Sequence, residues 1–242
     1  GWRIPFLAGG IIGMIGLWLR RDLQESDVFC TVLAKMQENV IPIKQVFQQY
    51  LPQVVKIALL LVMSACGSYT LMNYISTYLH SFLHYSLESA LRLQMYFILV
   101  TFIFVPIFAY LADHYGRWII IFFAAIGYIL LALPCFYLLQ YFHSWLVLLP
   151  LIIFYSAEQA AMPVLIVENF PAMARYTGVS LAYNTTMALV GGTAPLVNTL
   201  LIHYFNNSLM IAIDVIGCAL ISLLTLILTI PNQYGVDVDL TD

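Results

Sequence analysis

The sequence predicts an all-α polytopic membrane protein, on three observations. Of its 242 residues 62% are hydrophobic and 9% charged, against roughly 25% charged in an ordinary soluble domain. Mean hydropathy is +0.92. The apolar residues fall into long runs parted by short charged links. A spanning helix needs about 20 mostly apolar residues, because each residue rises ~1.5 Å across a hydrocarbon core ~30 Å thick. Seven runs qualify on that measure: Ile4 to Leu19, Val54 to Leu79, Leu93 to Ala112, Trp118 to Leu139, Trp145 to Val167, Thr177 to His203 and Leu209 to Ile230.

The first run is the shortest, but Trp2 and Trp18 near its ends suit aromatic anchoring at two interfaces. Residues 22–53 form the long polar link. Within it Val32, Leu33, Met36 and Val40 recur at helical spacing, Pro42 interrupts, and Ile43, Val46, Phe47 and Tyr50 continue. That pattern predicts one or two amphipathic helices lying on the bilayer, or alternatively a docking surface for a partner.

In the second run Tyr74 and Tyr78 share a helix face, as do Tyr69 and Asn73. Aromatic faces beside an amide suit a zwitterion or a quaternary ammonium group; tyrosines that only pack and anchor give the same pattern. His80 and His84 are spaced for metal binding on a helix but have no third ligand nearby, so no metal site is expected.

Asp113 and Arg117 close the third run on a tight turn with Gly116 between them, as a pair that can lock that end of the bundle or as solvated link charges. Glu158 lies well inside the fifth run beside Gln159. An intramembrane carboxylate costs about 2.5 to 3.5 kcal/mol on insertion scales. It must face protein or water, either as a group that gains and loses a proton or as an acid satisfied by neighbouring hydroxyls.

Glu168 and Arg175 bound the next link, with Pro171 to turn the chain between them, and are expected to pair with each other. The sixth run carries Tyr183, Asn184, Gly191, Gly192, Pro195 and Asn198, polar groups and helix breakers that need protein or a watery cavity around them. Asp214 is expected at the outer interface of the last run. The tail, 231–242, has Asp237, Asp239 and Asp242 and no heptad pattern.

Lysine and arginine counts orient the chain. Alternate links hold Arg20, Arg21, Lys35, Lys44, Lys56, Arg117 and Arg175; the other side holds Arg3 and Arg92. Seven against two predicts that the long link and the tail are cytoplasmic. A net charge of -3 leaves no basic surface for nucleic acid. Cys30, Cys66, Cys135 and Cys218 are scattered, with no pair at metal or redox spacing, and read as small core hydrophobes. No nucleophile set or phosphate loop points to an enzyme. The chain starts at Gly1 rather than Met, as an excerpt or truncated product would.

A set of motifs runs nearly end to end: GWRIPF at residues 1 to 6 with Leu19, Arg20, Arg21, Glu25, Val28 and Phe29; LADHYGRW at 111 to 118; then Glu168, Phe170, Pro171, Arg175, Tyr176, Thr177, Gly178, Tyr183, Asn184, Gly191, Gly192, Ala194 and Pro195. These resemble the second half of the metabolite:proton symporter family of the major facilitator superfamily, which includes proline/betaine and α-ketoglutarate carriers. Ala109, His114 and Trp118 depart from that family's signature around Asp113, Gly116 and Arg117.

The resemblance implies a division into a helix equivalent to the family's sixth (1–21), a cytoplasmic central linker (22–53), the C-terminal six-helix half of the fold (54–230) and a short acidic cytoplasmic tail (231–242). It implies proton-coupled symport of a small organic solute, with Tyr69, Asn73, Tyr74, Tyr78, Tyr183, Asn184 and Asn198 lining the cavity and Glu158 linked to the proton. Asp113, Gly116, Arg117, Glu168 and Arg175 would act as a cytoplasmic gate. No cofactor is expected beyond the proton gradient. The expected partners are solute, proton, the bilayer and a missing N-terminal six-helix half, and the expected location is a bacterial inner membrane. The alternative is a truncated, non-transporting remnant or scaffold.

Overall fold

The computed structural model describes residues 3–20, 46–142 and 144–229. Most of the 22–53 link, with the amphipathic pattern from Val32 to Ile43, and the acidic tail lie outside the described residues. The chain divides into two units, Gly1–Ile41 and Pro42–Asp242. In the first, α1 (Arg3–Arg20) is an 18-residue helix whose apolar stretch among the described residues is Phe6–Arg20. Gly9, Gly10, Gly13 and Gly16 are part of this helix.

The second unit is helical at every regular element among the described residues. Its first stretch departs from the straight span expected over Val54 to Leu79. A π-helical turn (Val46–Tyr50) leads into α2 (Leu51–Leu60). Past Leu61 come α3 (Val62–Cys66), an eight-residue π-helical segment (Gly67–Tyr74) and α4 (Ile75–Ser81). The two pieces, Val46–Leu60 and Val62–Ser81, meet at 41°.

A bend at membrane depth frees backbone groups that need new partners, and a side chain from the last helix supplies them. The Ser222 hydroxyl accepts from the Met63 amide at 2.9 Å and donates to the Leu59 carbonyl at 3.2 Å. Thr186 also donates to the Ala58 carbonyl, at 3.1 Å.

The remaining helices are α5 (Leu87–Tyr115), α6 (Arg117–Leu139), α7 (Leu149–Glu168), α8 (Ala172–Thr186), a second π-helical segment (Met187–Gly191), α9 (Ala194–Phe205) and α10 (Met210–Thr229). Helix α5 starts six residues before the expected Leu93, because Ser86 caps it by accepting from the Ser89 amide at 3.2 Å. Glu88 and Arg92, whose charges interrupt the apolar run, pair one turn apart on its exposed surface.

Among the described residues five helical stretches are long and apolar enough to cross a membrane, and the bent pair makes a sixth. The first expected run, Ile4 to Leu19, falls within α1.

Helix α7 is central: it packs against α5 and α6, and α6 packs in turn on α10. Helix α8 lies on α2, and α10 also reaches α2 and α3. The close approach of α6 to α7 rests on Gly127, where any Cβ would drive into the Phe154 ring. Tyr78, Phe97, Tyr128, Phe136 and Phe170 fill the interior. The outward surface stays apolar, with Phe102 77% and Leu228 76% exposed, as a lipid-facing surface must be.

Candidate functional site

Glu158 is 0% exposed in the middle of α7, and the groups around it come from three helices. Gln159 donates to Glu158 Oε2 at 3.1 Å and to Ser68 Oγ at 3.0 Å, and Ser68 Oγ lies 3.5 Å from Tyr155 Oη. The buried hydroxyl of Ser64 on α3 neighbours the same carboxyl. Glu158 Oε1 and the fully buried Tyr128 Oη have no hydrogen-bond partner among the described residues. Buried polar atoms are nearly always paired, so two orphans in one region mark a place built for something other than packing.

Gly67 makes that closeness possible. A Cβ there would stand 2.7 Å from Tyr128 Oη and 3.4 Å from Tyr155 Cδ2, so only glycine lets the π-helical segment come down onto α6 and α7.

The same segment feeds a second polar cluster. Asn198 of α9, also 0% exposed, donates to Thr70 Oγ1 at 3.1 Å, to Asp214 Oδ2 at 2.9 Å and to the Ala194 carbonyl at 2.9 Å. Cys66 and Cys218 donate their thiols to the two oxygens of Asp214, at 3.5 and 4.0 Å. Asp214 is therefore a half-buried bridging group and not the outer interface residue expected from its nearness to the start of α10. The cysteines are likewise more than separate core hydrophobes, since two of them converge on one carboxylate.

The seven residues expected to line a cavity divide by exposure, three exposed, three buried and one between. Asn73, Tyr183 and Asn184 are exposed, while Tyr74, Tyr78 and Asn198 are buried. The buried tyrosines spend their hydroxyls inside the bundle, Tyr74 with Thr199 at 2.7 Å and Tyr78 on the Ser208 carbonyl at 3.2 Å. They hold the end of the π-helical segment to α9, and α4 to the loop that follows α9, and present no open aromatic surface. Tyr69 is half-buried, its ring lying over Gly191 where a Cβ would come within 2.5 Å of Cδ2, so the two π-helical segments touch there.

At the far end of α7 sits an ionic cluster. Arg117 donates to Asp113 at 3.0 Å and to Glu168 at 2.6 Å, joining the ends of α5, α6 and α7. Gly116 makes the corner with φ of 97°, a conformation side chains strongly resist. The expected Glu168–Arg175 pair is absent: Arg175 donates to the Phe170 carbonyl at 3.2 Å instead. The link between α7 and α8 is short, and its bend carries Arg175 away from Glu168 while α6 brings Arg117 to it.

Sequence reasoning missed Tyr128, Tyr155, Ser68, Thr70, Asp214 and the convergence of Cys66 and Cys218. Tyrosines and hydroxyls in apolar runs read as packing, and no local spacing links α3 with α10. The signal that did exist was the cluster of Gly67, Ser68, Thr70 and Asn73, polar and small residues bunched in a run meant for lipid.

Spanning helices with a buried carboxyl, amides and a carboxylate gathered between them define an integral membrane protein with a polar interior at membrane depth. Comparison with known sequences makes the class particular. The chain belongs to the Major Facilitator Superfamily, whose family profile matches residues 1–195.

It is similar to the proline/betaine transporter of Escherichia coli (strain K12), 27% identical over 238 residues that cover 93% of this chain and 47% of that protein. A protein of Staphylococcus aureus (strain COL), provisionally named a proline/betaine transporter, is 30% identical over 93% of this chain and 50% of its own length. Its counterpart in Staphylococcus haemolyticus (strain JCSC1435) is 28% identical over the same shares. The chain thus spans about half the length of the curated relatives it matches. No solved structure matches it.

Proposed function

We propose that this chain serves as the C-terminal half of a proton-coupled carrier for a small zwitterionic or anionic organic solute, with proline, betaine and organic acids as the solute class. The observation that carries this reading is Glu158: a carboxyl wholly inside the bundle, with one oxygen unpartnered and no cation paired with it among the described residues. A group in that setting is neutralised by taking a proton and becomes costly when it loses one, which is the behaviour that couples a proton to a conformational cycle. Family membership and the relatives' names support the transport part of the reading.

In this proposal the exposed Asn73, Tyr183 and Asn184 contribute to one wall of the solute path, and a second six-helix half supplies the opposing wall. Arg117, with Asp113 and Glu168, latches the cytoplasmic end, while Arg175 braces the turn beside it. Residues 1–21 and 22–53 act as the helix and cytoplasmic linker that lead into the six-helix half, and the tail 231–242 lies on the same side. The membrane is the bacterial inner membrane.

The test is uptake of labelled proline or betaine into proteoliposomes containing the chain together with its complementing half, under an imposed pH gradient. Glu158→Gln is expected to abolish gradient-driven accumulation while solute counterflow without a gradient survives. Accumulation that persists in Glu158→Gln removes the coupling role, and absence of both gradient-driven uptake and counterflow in the unaltered pair removes the carrier reading.

A further inference from the structure

We propose that Cys66, Cys218 and Asp214 form a binding site for a thiophilic divalent cation of the zinc or cadmium type, set between α3 and α10. Two thiols and a carboxylate, with all three ligand atoms within 4.8 Å of one another, converge from elements that are distant in sequence. Zinc binds sulfur at about 2.3 Å and carboxylate oxygen at about 2.0 to 2.2 Å, so tetrahedral geometry places a sulfur and an oxygen ligand roughly 3.5 Å apart. Cys66 Sγ and Asp214 Oδ2 already stand 3.5 Å apart, and Cys218 Sγ is 4.0 Å from the other oxygen. Asp214 and Cys218 are one turn apart on α10 and share a face; Cys66 meets them from the last position of α3.

A second observation points the same way. Asn198, fully buried, has no hydrogen-bond partner for its Oδ1 among the described residues. Its amide nitrogen holds Asp214 Oδ2 and Thr70 Oγ1, and Thr70 Oγ1 lies 3.7 Å from Cys66 Sγ. A half-turn of that amide, at the cost of its bond to the Ala194 carbonyl, brings a carbonyl oxygen to the place where Nδ2 now stands, a fourth donor of the right kind for the ion. Thiol–carboxylate hydrogen bonding accounts for Asp214 but leaves this oxygen orphaned. Cys66 is buried while Asp214 and Cys218 are half-buried, so an ion enters from the α10 side. On binding, both thiols release their protons to solvent, the cation takes their place between the sulfurs, and nothing is oxidised or reduced.

The experiment uses the purified full chain in detergent, reduced and stripped with a chelator, then titrated with cadmium and followed by the sulfur-to-metal charge-transfer band. It reads binding rather than transport, so its outcome is independent of the carrier proposal. One cadmium per chain is expected, displaced by zinc and bound more tightly as pH rises.

Cys66→Ser and Cys218→Ser each lose the band. Asn198→Ala, which removes the fourth donor and the amide beside Asp214, weakens binding about 10- to 100-fold, and Cys30→Ser and Cys135→Ser change nothing. Cadmium NMR on the unaltered chain reports its sulfur ligands without any substitution, which guards against a variant that fails to fold. No band, a band that survives Cys66→Ser or Cys218→Ser, or a resonance in the range of all-oxygen ligands overturns the site.

Discussion

Helix α7 carries two glutamates ten residues apart in opposite circumstances. Glu168 ends the helix with its side chain 48% exposed and bound to Arg117 at 2.6 Å. Glu158 is 0% exposed and keeps an oxygen without a partner. The first is neutralised by Arg117, which joins three helix ends; among the described residues the second has only amide and hydroxyl neighbours. The same side chain is a clamp in one place and an adjustable charge in the other, and solvent decides which.

The harshest test of that contrast reverses charge at both positions. Glu158→Lys buries a cation with no counter-charge and is expected to cost about 3–5 kcal/mol or to leave no folded protein. Glu168→Lys, at the wet end, is expected to cost about 1 kcal/mol or less. Unfolding in mixed micelles, followed by circular dichroism, measures both; equal losses would show that Glu158 is wetter than its burial implies.

A neutral buried group sharpens the same point. Ser222→Ala leaves the Met63 amide and the Leu59 carbonyl at the bend without their partner and is expected to cost about 1–3 kcal/mol in the same assay. A variant as stable as the parent would mean that the bend satisfies itself.

Gly116→Ala meets no steric obstacle, yet its φ of 97° is strained for any side chain, with an expected loss of order 1–3 kcal/mol. The smallest effect belongs to Arg117→Gln, about 0.2–1 kcal/mol, shrinking further as salt is added because the pair is solvent-accessible. A larger, salt-insensitive loss would place this cluster with the buried groups.

Much of the architecture was legible because it follows from apolar run length, which is written locally. The ends of α6, α7 and α10 fall within one residue of the expected bounds for that reason, once the 3-10 turn Trp145–Val147 is counted with α7. The bend at Leu61 was not legible: its residues are apolar like any others, and the hydroxyl that makes it tolerable lies on α10.

In the candidate site, Glu158 stood out since a carboxylate in an apolar run has few explanations. Asp214 did not, because its position near a helix start hid that its face turns toward Asn198 and Cys66. Glu168 was matched with Arg175, its near neighbour in sequence, whereas its actual partner Arg117 comes from another helix. Pairing across the bundle is decided by packing, which periodicity on a single helix does not encode.

The touching π-helical segments have a mechanical consequence. A π turn holds one residue more than an α turn, so tightening Gly67–Tyr74 by that residue would rotate everything beyond it by about 100° and advance it by about 1.5 Å. With the Tyr69 ring seated over Gly191, the two segments resemble meshed gear teeth: neither can give up its surplus residue without the other yielding room.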